Sequence, residues 1–122
     1  MKRIIIIGSR RRDSYEDFLS TKCAFLTIYK KGDMIVSGGC SKGGDKFAEI
    51  LIDMYDTPKK IFRAKWRKDG KYNRYAGFER NTLVAKYGTE LIACVAKDRK
   101  GGTEDTIKKF KKFHPKGKVH LC

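Results

Sequence analysis

Proline is nearly absent from this chain: Pro58 and Pro115 are the only two in 122 residues. No proline- or serine-rich linker therefore separates one folded unit from another, and no internal repeat is visible. The length fits one domain spanning 1–122. Long apolar runs are missing near the start, where Ile4 to Ile7 gives way at once to Gly-Ser-Arg-Arg-Arg. That run is too short for a signal peptide or a bilayer span, so a soluble, cytoplasmic chain with no membrane partner is expected. The four cysteines, Cys23, Cys40, Cys94 and Cys122, form no C-x-x-C pair and have no histidine at ligand spacing, which speaks against a zinc site or a disulfide framework. Cys23 and Cys94 read as small core residues, and Cys40 as a filler in a glycine-rich loop. Acidic residues are scarce as well. Fourteen Asp and Glu against 29 Lys and Arg leave a formal charge of +15, and such a chain attracts phosphates, nucleotides and nucleic acid.

What is present is an alternation of short Ile- and Val-rich segments with helical ones. Arg3–Ile7, Met34–Ser37, Lys60–Arg63, Glu90–Val95 and Lys118–Leu121 have strand character. Between the first two, Tyr15, Phe18, Leu19, Lys22, Leu26 and Tyr29 recur at helical spacing behind an N-cap at Asp13 or Ser14. Phe47, Ala48, Leu51, Ile52 and Tyr55 do the same before Asp56-Thr57-Pro58 ends the second helix. A third helix is expected from about Asn73 to Tyr87 and a fourth from Thr103 to Phe113, with Gly88 and Gly117 near their exits. This order predicts β-α-β crossovers and a parallel sheet of five strands in an α/β fold, with Ile4 to Ile7 as a central strand covered on both faces. Lys59 to Arg74 is strongly basic. Lys108, Lys109, Lys111 and Lys112 surround Ile107, Phe110 and Phe113 and read as a solvated helix face.

In a parallel sheet the loops after the strands emerge at one carboxyl edge, which gathers residues distant in sequence. Those loops carry Gly8-Ser9-Arg10, then Ser37-Gly38-Gly39-Cys40-Ser41-Lys42-Gly43-Gly44-Asp45, then Lys97 to Gly101-Gly102-Thr103. Glycine lets a backbone approach a ligand closely, and helix N-termini add positive partial charge; together these make a phosphate cradle. One such loop would read as a tight turn, but three converging ones favour the cradle. Neither G-x-x-x-x-G-K-[ST] nor a first-strand G-x-G-x-x-G occurs, so ATPase and ordinary dinucleotide dehydrogenase readings lose ground. Ala76, Arg80, Leu83, Val84 and Tyr87 form the expected inward stripe of the third helix, broken by Arg80. This arginine meets either the ligand or a buried carboxylate, Asp45 or Asp13. Trp66 stacks on a base or covers the end of the sheet.

The motifs Gly8-Ser9-Arg10, Ser37-Gly38-Gly39 with Lys42-Gly43-Gly44-Asp45, Phe62-x-Ala64-x-Trp66, Ala76-Gly77-Phe78-Glu79-Arg80-Asn81 and Gly102-Thr103-Glu104-Asp105-Thr106-Ile107 occur in that order. In this the chain resembles the YspA-like branch of the SLOG superfamily, which also holds the LOG "lysine decarboxylase-like" proteins and the DNA-processing protein A family. The resemblance runs from Gly8 to about Val119 and implies a Rossmann-like domain binding a nucleotide or nucleotide-derived ligand at those loops. Relatives often dimerise, so a homodimer is also implied. LOG-type phosphoribohydrolases carry a catalytic Glu in P-G-G-x-G-T-x-x-E; aligning Gly102-Thr103 onto its G-T sets Thr106 there instead. N-glycosidic hydrolysis needs a group to activate water, so no catalytic residue is assigned.

The expectation is a binding protein that senses or sequesters a nucleotide or related phosphate ligand, with no cofactor or metal named by the sequence. Gly38, Gly39, Gly43, Gly44, Gly102 and Thr103 would offer donors, Arg10 and Arg80 would neutralise charge, and Asp45 would orient an arginine or a ribose hydroxyl. Gly8, Ser9, Ser37, Lys42, Trp66 and Asn81 complete the candidate site. Nucleic-acid binding through the basic surface is the alternative, and a weak hydrolase ranks third.

Overall fold

The computed structural model describes residues 1–40 and 42–122. Ser41, counted above in the second glycine-rich loop, lies outside the described residues. Five strands, β1 (Arg3–Gly8), β2 (Met34–Ser37), β3 (Lys59–Ile61), β6 (Glu90–Cys94) and β7 (Val119–Leu121), form one sheet in the order β3-β2-β1-β6-β7. Every pairing in it is parallel. The fold is α/β and Rossmann-like, as the alternation of elements predicts. Helices α1 (Tyr15–Ile28), α2 (Gly44–Tyr55), α3 (Ala76–Tyr87) and α4 (Gly102–Phe113) make the crossovers, and a small antiparallel hairpin, β4 (Arg67–Lys68) with β5 (Lys71–Tyr72), stands apart from the sheet.

The isoleucine run explains the layering. Side chains alternate across a strand, so Ile4 and Ile6 pack with Phe25, Ala48, Leu51 and Ile52 under α1 and α2. Ile5 and Ile7 pack with Val84, Ala85, Ile107 and Phe110 under α3 and α4. Truncating any of these isoleucines to Ala would cost about 2–5 kcal/mol. Ser14 caps α1: its hydroxyl accepts from the Asp17 amide while the Asp17 carboxylate accepts from the Ser14 amide. Asp56, at φ 48, closes α2 just ahead of Pro58.

Several expectations need correction. The inward face of α1 is Phe18, Thr21, Phe25 and Ile28, whereas Tyr15, Leu19 and Leu26 are exposed. Thr21 tolerates burial because its hydroxyl donates to the Asp17 carbonyl at 3.0 Å. Cys23 is exposed on the outer side of α1, so only Cys94 of the two is core. On α3, Leu83 is exposed and Asn81 buried, which shifts the inward stripe by a residue or two. That helix starts at Ala76 and not at Asn73, because the Asn73 amide donates to the Trp66 carbonyl at 2.7 Å and its side chain accepts from the Tyr75 amide. The first of those bonds extends the β4–β5 pairing. Lys109 is not purely solvated: its ammonium pairs with Asp105 at 2.9 Å and donates to the Phe78 carbonyl at 2.9 Å, joining α4 to α3.

Candidate functional site

After β1 the chain goes to β2 on one side, and after α3 it returns to β6 on the other. Strand order reverses at the β1/β6 boundary, the place where open parallel sheets bind ligands. Here the carboxyl edge holds a cleft of about 320 Å³ with Ile7 and Val84 among its apolar lining.

Its first wall is the loop leaving β1. Gly8 is confined there: a Cβ would lie 2.9 Å from Cys94 Cβ and 3.1 Å from Gly44 Cα. The Ser9 amide donates to the Cys94 carbonyl at 2.9 Å, continuing the β1–β6 register beyond the strands. Arg10 is exposed on the rim of the cleft. Next to it Arg11 spans the opening, donating from both terminal nitrogens to Asp98 at 2.9 and 2.6 Å and to the Lys100 carbonyl.

The β2–α2 loop makes the second wall, and Asp45 shapes it. Its carboxylate accepts from the Gly38 amide at 3.4 Å and from the Cys40 amide at 3.1 Å. Burial nevertheless pushes the Asp45 carboxyl above its ordinary range, against the opposing influence of those amides and of Arg80. The third wall is the β6–α4 loop. Gly101, at φ 115, turns the chain into α4, whose opening residues Gly102 and Thr103 border the cleft. Amides in the first turn of a helix have no intrahelical acceptor, and the dipole there favours anions.

From α3, Arg80 enters between these walls. Its Nη1 donates to the Gly38 carbonyl at 2.6 Å and its Nε to Asn81 Oδ1 at 3.0 Å. Asn81 in turn donates from Nδ2 to the Gly102 carbonyl at 3.3 Å and to Asp105 at 3.1 Å. Arg80 is thereby fixed by two neutral oxygens. Among the described residues it forms no ion pair within 4.0 Å, with Asp45 or any other carboxylate. Asp13, the other expected partner, instead holds Lys46 at 2.6 Å and the Gly43 amide at 2.8 Å.

The structure brings together Gly8, Ser9, Arg10, Gly38, Asp45, Arg80, Asn81, Gly102 and Thr103. The other six candidates do not line it. Ser37 is buried at the end of β2, where its hydroxyl accepts from the Gly39 amide. Gly39, at φ 74, faces Arg63 and Ile61, and Lys42 points to solvent. Gly43 and Gly44 lie against the backbone of Ser9 and Ile7, where no Cβ fits; they let α2 approach β1. Trp66 sits outside the cleft on the β4–β5 side, stacked on Tyr72. The sequence reading did not assign Cys40, Arg11, Lys100, Gly101 and Thr106 to the cleft, which they line. Three of them, Arg11, Cys40 and Gly101, adjoin assigned loop residues, so adjacency was their signal, and Lys100 lies in the same loop. Thr106 is buried, with its hydroxyl donating to the Gly102 carbonyl at 3.4 Å.

Among the described residues, no three His, Cys, Asp or Glu side chains gather to hold a metal ion, and no helix is long and apolar enough to cross a membrane. No protein-family model matches the chain, and comparison with curated proteins and with solved structures gives no match.

Proposed function

We propose that this protein binds a nucleotide or nucleotide-derived phosphate ligand in the carboxyl-edge cleft, as a member of the SLOG superfamily that its motifs resemble. The observation carrying the reading is Arg80: a guanidinium fixed at a cleft wall by two neutral oxygens, with no carboxylate within 4.0 Å among the described residues. A phosphate between Arg80 and the first turn of α4 would receive charge-assisted bonds from one side and helix amides from the other. Arg10 and Lys100 add positive charge at the same cleft. The cleft, about 320 Å³, is near the low end of the roughly 300–1,000 Å³ range of small-molecule sites, which suits a mononucleotide-sized ligand.

Binding without hydrolysis is the better-supported form of this reading. Asp45 is the one carboxylate among the described lining residues, and both its oxygens already accept from amides. Thr106 offers no general base. Isothermal titration with nucleoside mono-, di- and triphosphates, cyclic dinucleotides and ADP-ribose derivatives tests the proposal, beside native mass spectrometry of freshly purified protein. Saturable binding that Arg80→Ala weakens is expected. Binding of every panel member equally by the wild type and Arg80→Ala would overturn it.

A further inference from the structure

We propose a second, separate site: the β4–β5 hairpin is a stacking platform for single-stranded nucleic acid. Trp66 and Tyr72 lie nearly parallel, 8° apart with ring centroids 6.2 Å apart. Trp66 is 45% exposed and Tyr72 67%. Trp66 is backed by α3, since a Cβ on Gly77 would be 3.6 Å from its ring. Tyr72 is the more open member of the stack. The hairpin adds nothing to either buried cluster of the core, so packing in the protein interior does not account for two large rings here.

The backbone geometry of the platform is set by its turn. Asp69 and Gly70, at φ 53 and 75, form a two-residue turn of the type that matches strand twist. The pairing sets Lys68 directly opposite Lys71, an arrangement of like charges that destabilises an isolated hairpin. Lys65, Arg67, Lys68 and Lys71 are all exposed, and among the described residues none has an acidic partner within 4.0 Å. A chain of phosphates would relieve that repulsion while its bases stack on the rings. Aromatic stacking needs bases free of a duplex, which selects single strands. A second copy of the protein would bring the same charge to the same surface and be repelled.

The test uses the one tryptophan of the chain as its reporter. Adding an oligonucleotide should quench Trp66 fluorescence, with binding confirmed by anisotropy of a labelled strand at about 150 mM salt. Tyr72→Ala should weaken binding about five- to a hundredfold, and Tyr72→Phe, which keeps the ring, should bind as wild type. Lys68→Gln with Lys71→Gln should lower the salt dependence by roughly two counterions. Arg80→Ala should leave oligonucleotide binding unchanged, which separates this site from the cleft whichever way the cleft reading falls. The proposal is overturned if the strand binds without quenching, or if Tyr72→Ala binds as wild type. Equal affinity for duplex DNA, heparin or phosphatidylserine vesicles, or no binding of the single strand at all, would also overturn it.

Discussion

Arg80 Nη1 donates to the Gly38 carbonyl oxygen across 2.6 Å, joining α3 to the loop after β2. Gly38 permits that approach, because a Cβ there would fall 2.8 Å from the same nitrogen and 2.9 Å from Asp45 Oδ2. The bond sets the guanidinium at the cleft on a neutral acceptor.

Arg80→Ala should therefore raise the Kd of the cleft ligand by roughly one to two powers of ten, the loss of a charge-assisted bond worth about 1.5–3 kcal/mol. Lys111→Ala, at an exposed position on α4, should change affinity by less than about 0.5 kcal/mol. Titration calorimetry of the two variants beside thermal unfolding checks this. Equal affinities would remove Arg80 from the site.

Two glycines should part company when substituted. Gly102 has open space, its nearest neighbour to an added Cβ being Asn81 Nδ2 at 3.9 Å. Gly102→Val should fold with a loss of about 1 kcal/mol or less, yet obstruct the cleft and weaken the ligand at least about tenfold. In Gly44→Ala the new methyl would overlap the backbone of Ile7 and Gly8, which cannot yield without disrupting β1. A cost beyond about 4 kcal/mol, or failure to fold, is expected from denaturant melts.

The same pair shows why part of the site was legible in the sequence and part was not. Parallel topology followed from the alternation of elements, and topology alone carries the loops after β1, β2 and β6 to one edge. A glycine, however, signals only that a Cβ would be in the way. At Gly43 and Gly44 the obstacle is the chain's own backbone, and composition cannot distinguish that from a ligand. The α1 face was misread because Thr21 hides its polarity in a bond to Asp17, while Tyr15, Leu19 and Leu26 are apolar yet exposed. The hairpin was missed: Asp69-Gly70 is a turn signal, but its flanks are charged where alternation of apolar residues would mark strands.

Asp33 should give the fold a measurable acid sensitivity. Desolvation raises its carboxyl, but the Lys2 ammonium at 2.8 Å and the amides of Lys2 and Lys30 outweigh that and hold it below the ordinary 3.8. A depressed folded value means the stabilisation is present above the unfolded value and is lost as pH falls through the folded one. At pH 7 Asp33→Ala should unfold about 1–3 kcal/mol more easily than wild type. The gap should narrow as pH falls below that ordinary 3.8. A gap independent of pH would show that the carboxylate's charge contributes nothing.

Cys122 should be the thiol whose reactivity switches near neutrality. The neighbouring Cys94 thiol, aided by Thr21 and by the charge of Arg12, outweighs burial and lowers its pKa to about 7, whereas Cys94 is pushed upward by its proximity to Cys122 and by its own burial. The assignment makes physical sense because Cys94 is buried within β6 and Cys122 is partly open, so the more solvated sulfur takes the charge. Thiolates alkylate and thiols do not. Iodoacetamide labelling of Cys122, followed by peptide mass spectrometry, should accelerate as pH rises through about 7 and level off roughly one unit higher, while Cys94 stays unlabelled. Cys94→Ala removes the largest lowering influence, so the midpoint of Cys122 should move up toward the ordinary 9.0. A wild-type rate still climbing at pH 9, or a midpoint that Cys94→Ala leaves in place, would mean that Cys94 does not lower the Cys122 thiol and that its bond to the Ala93 carbonyl keeps it protonated.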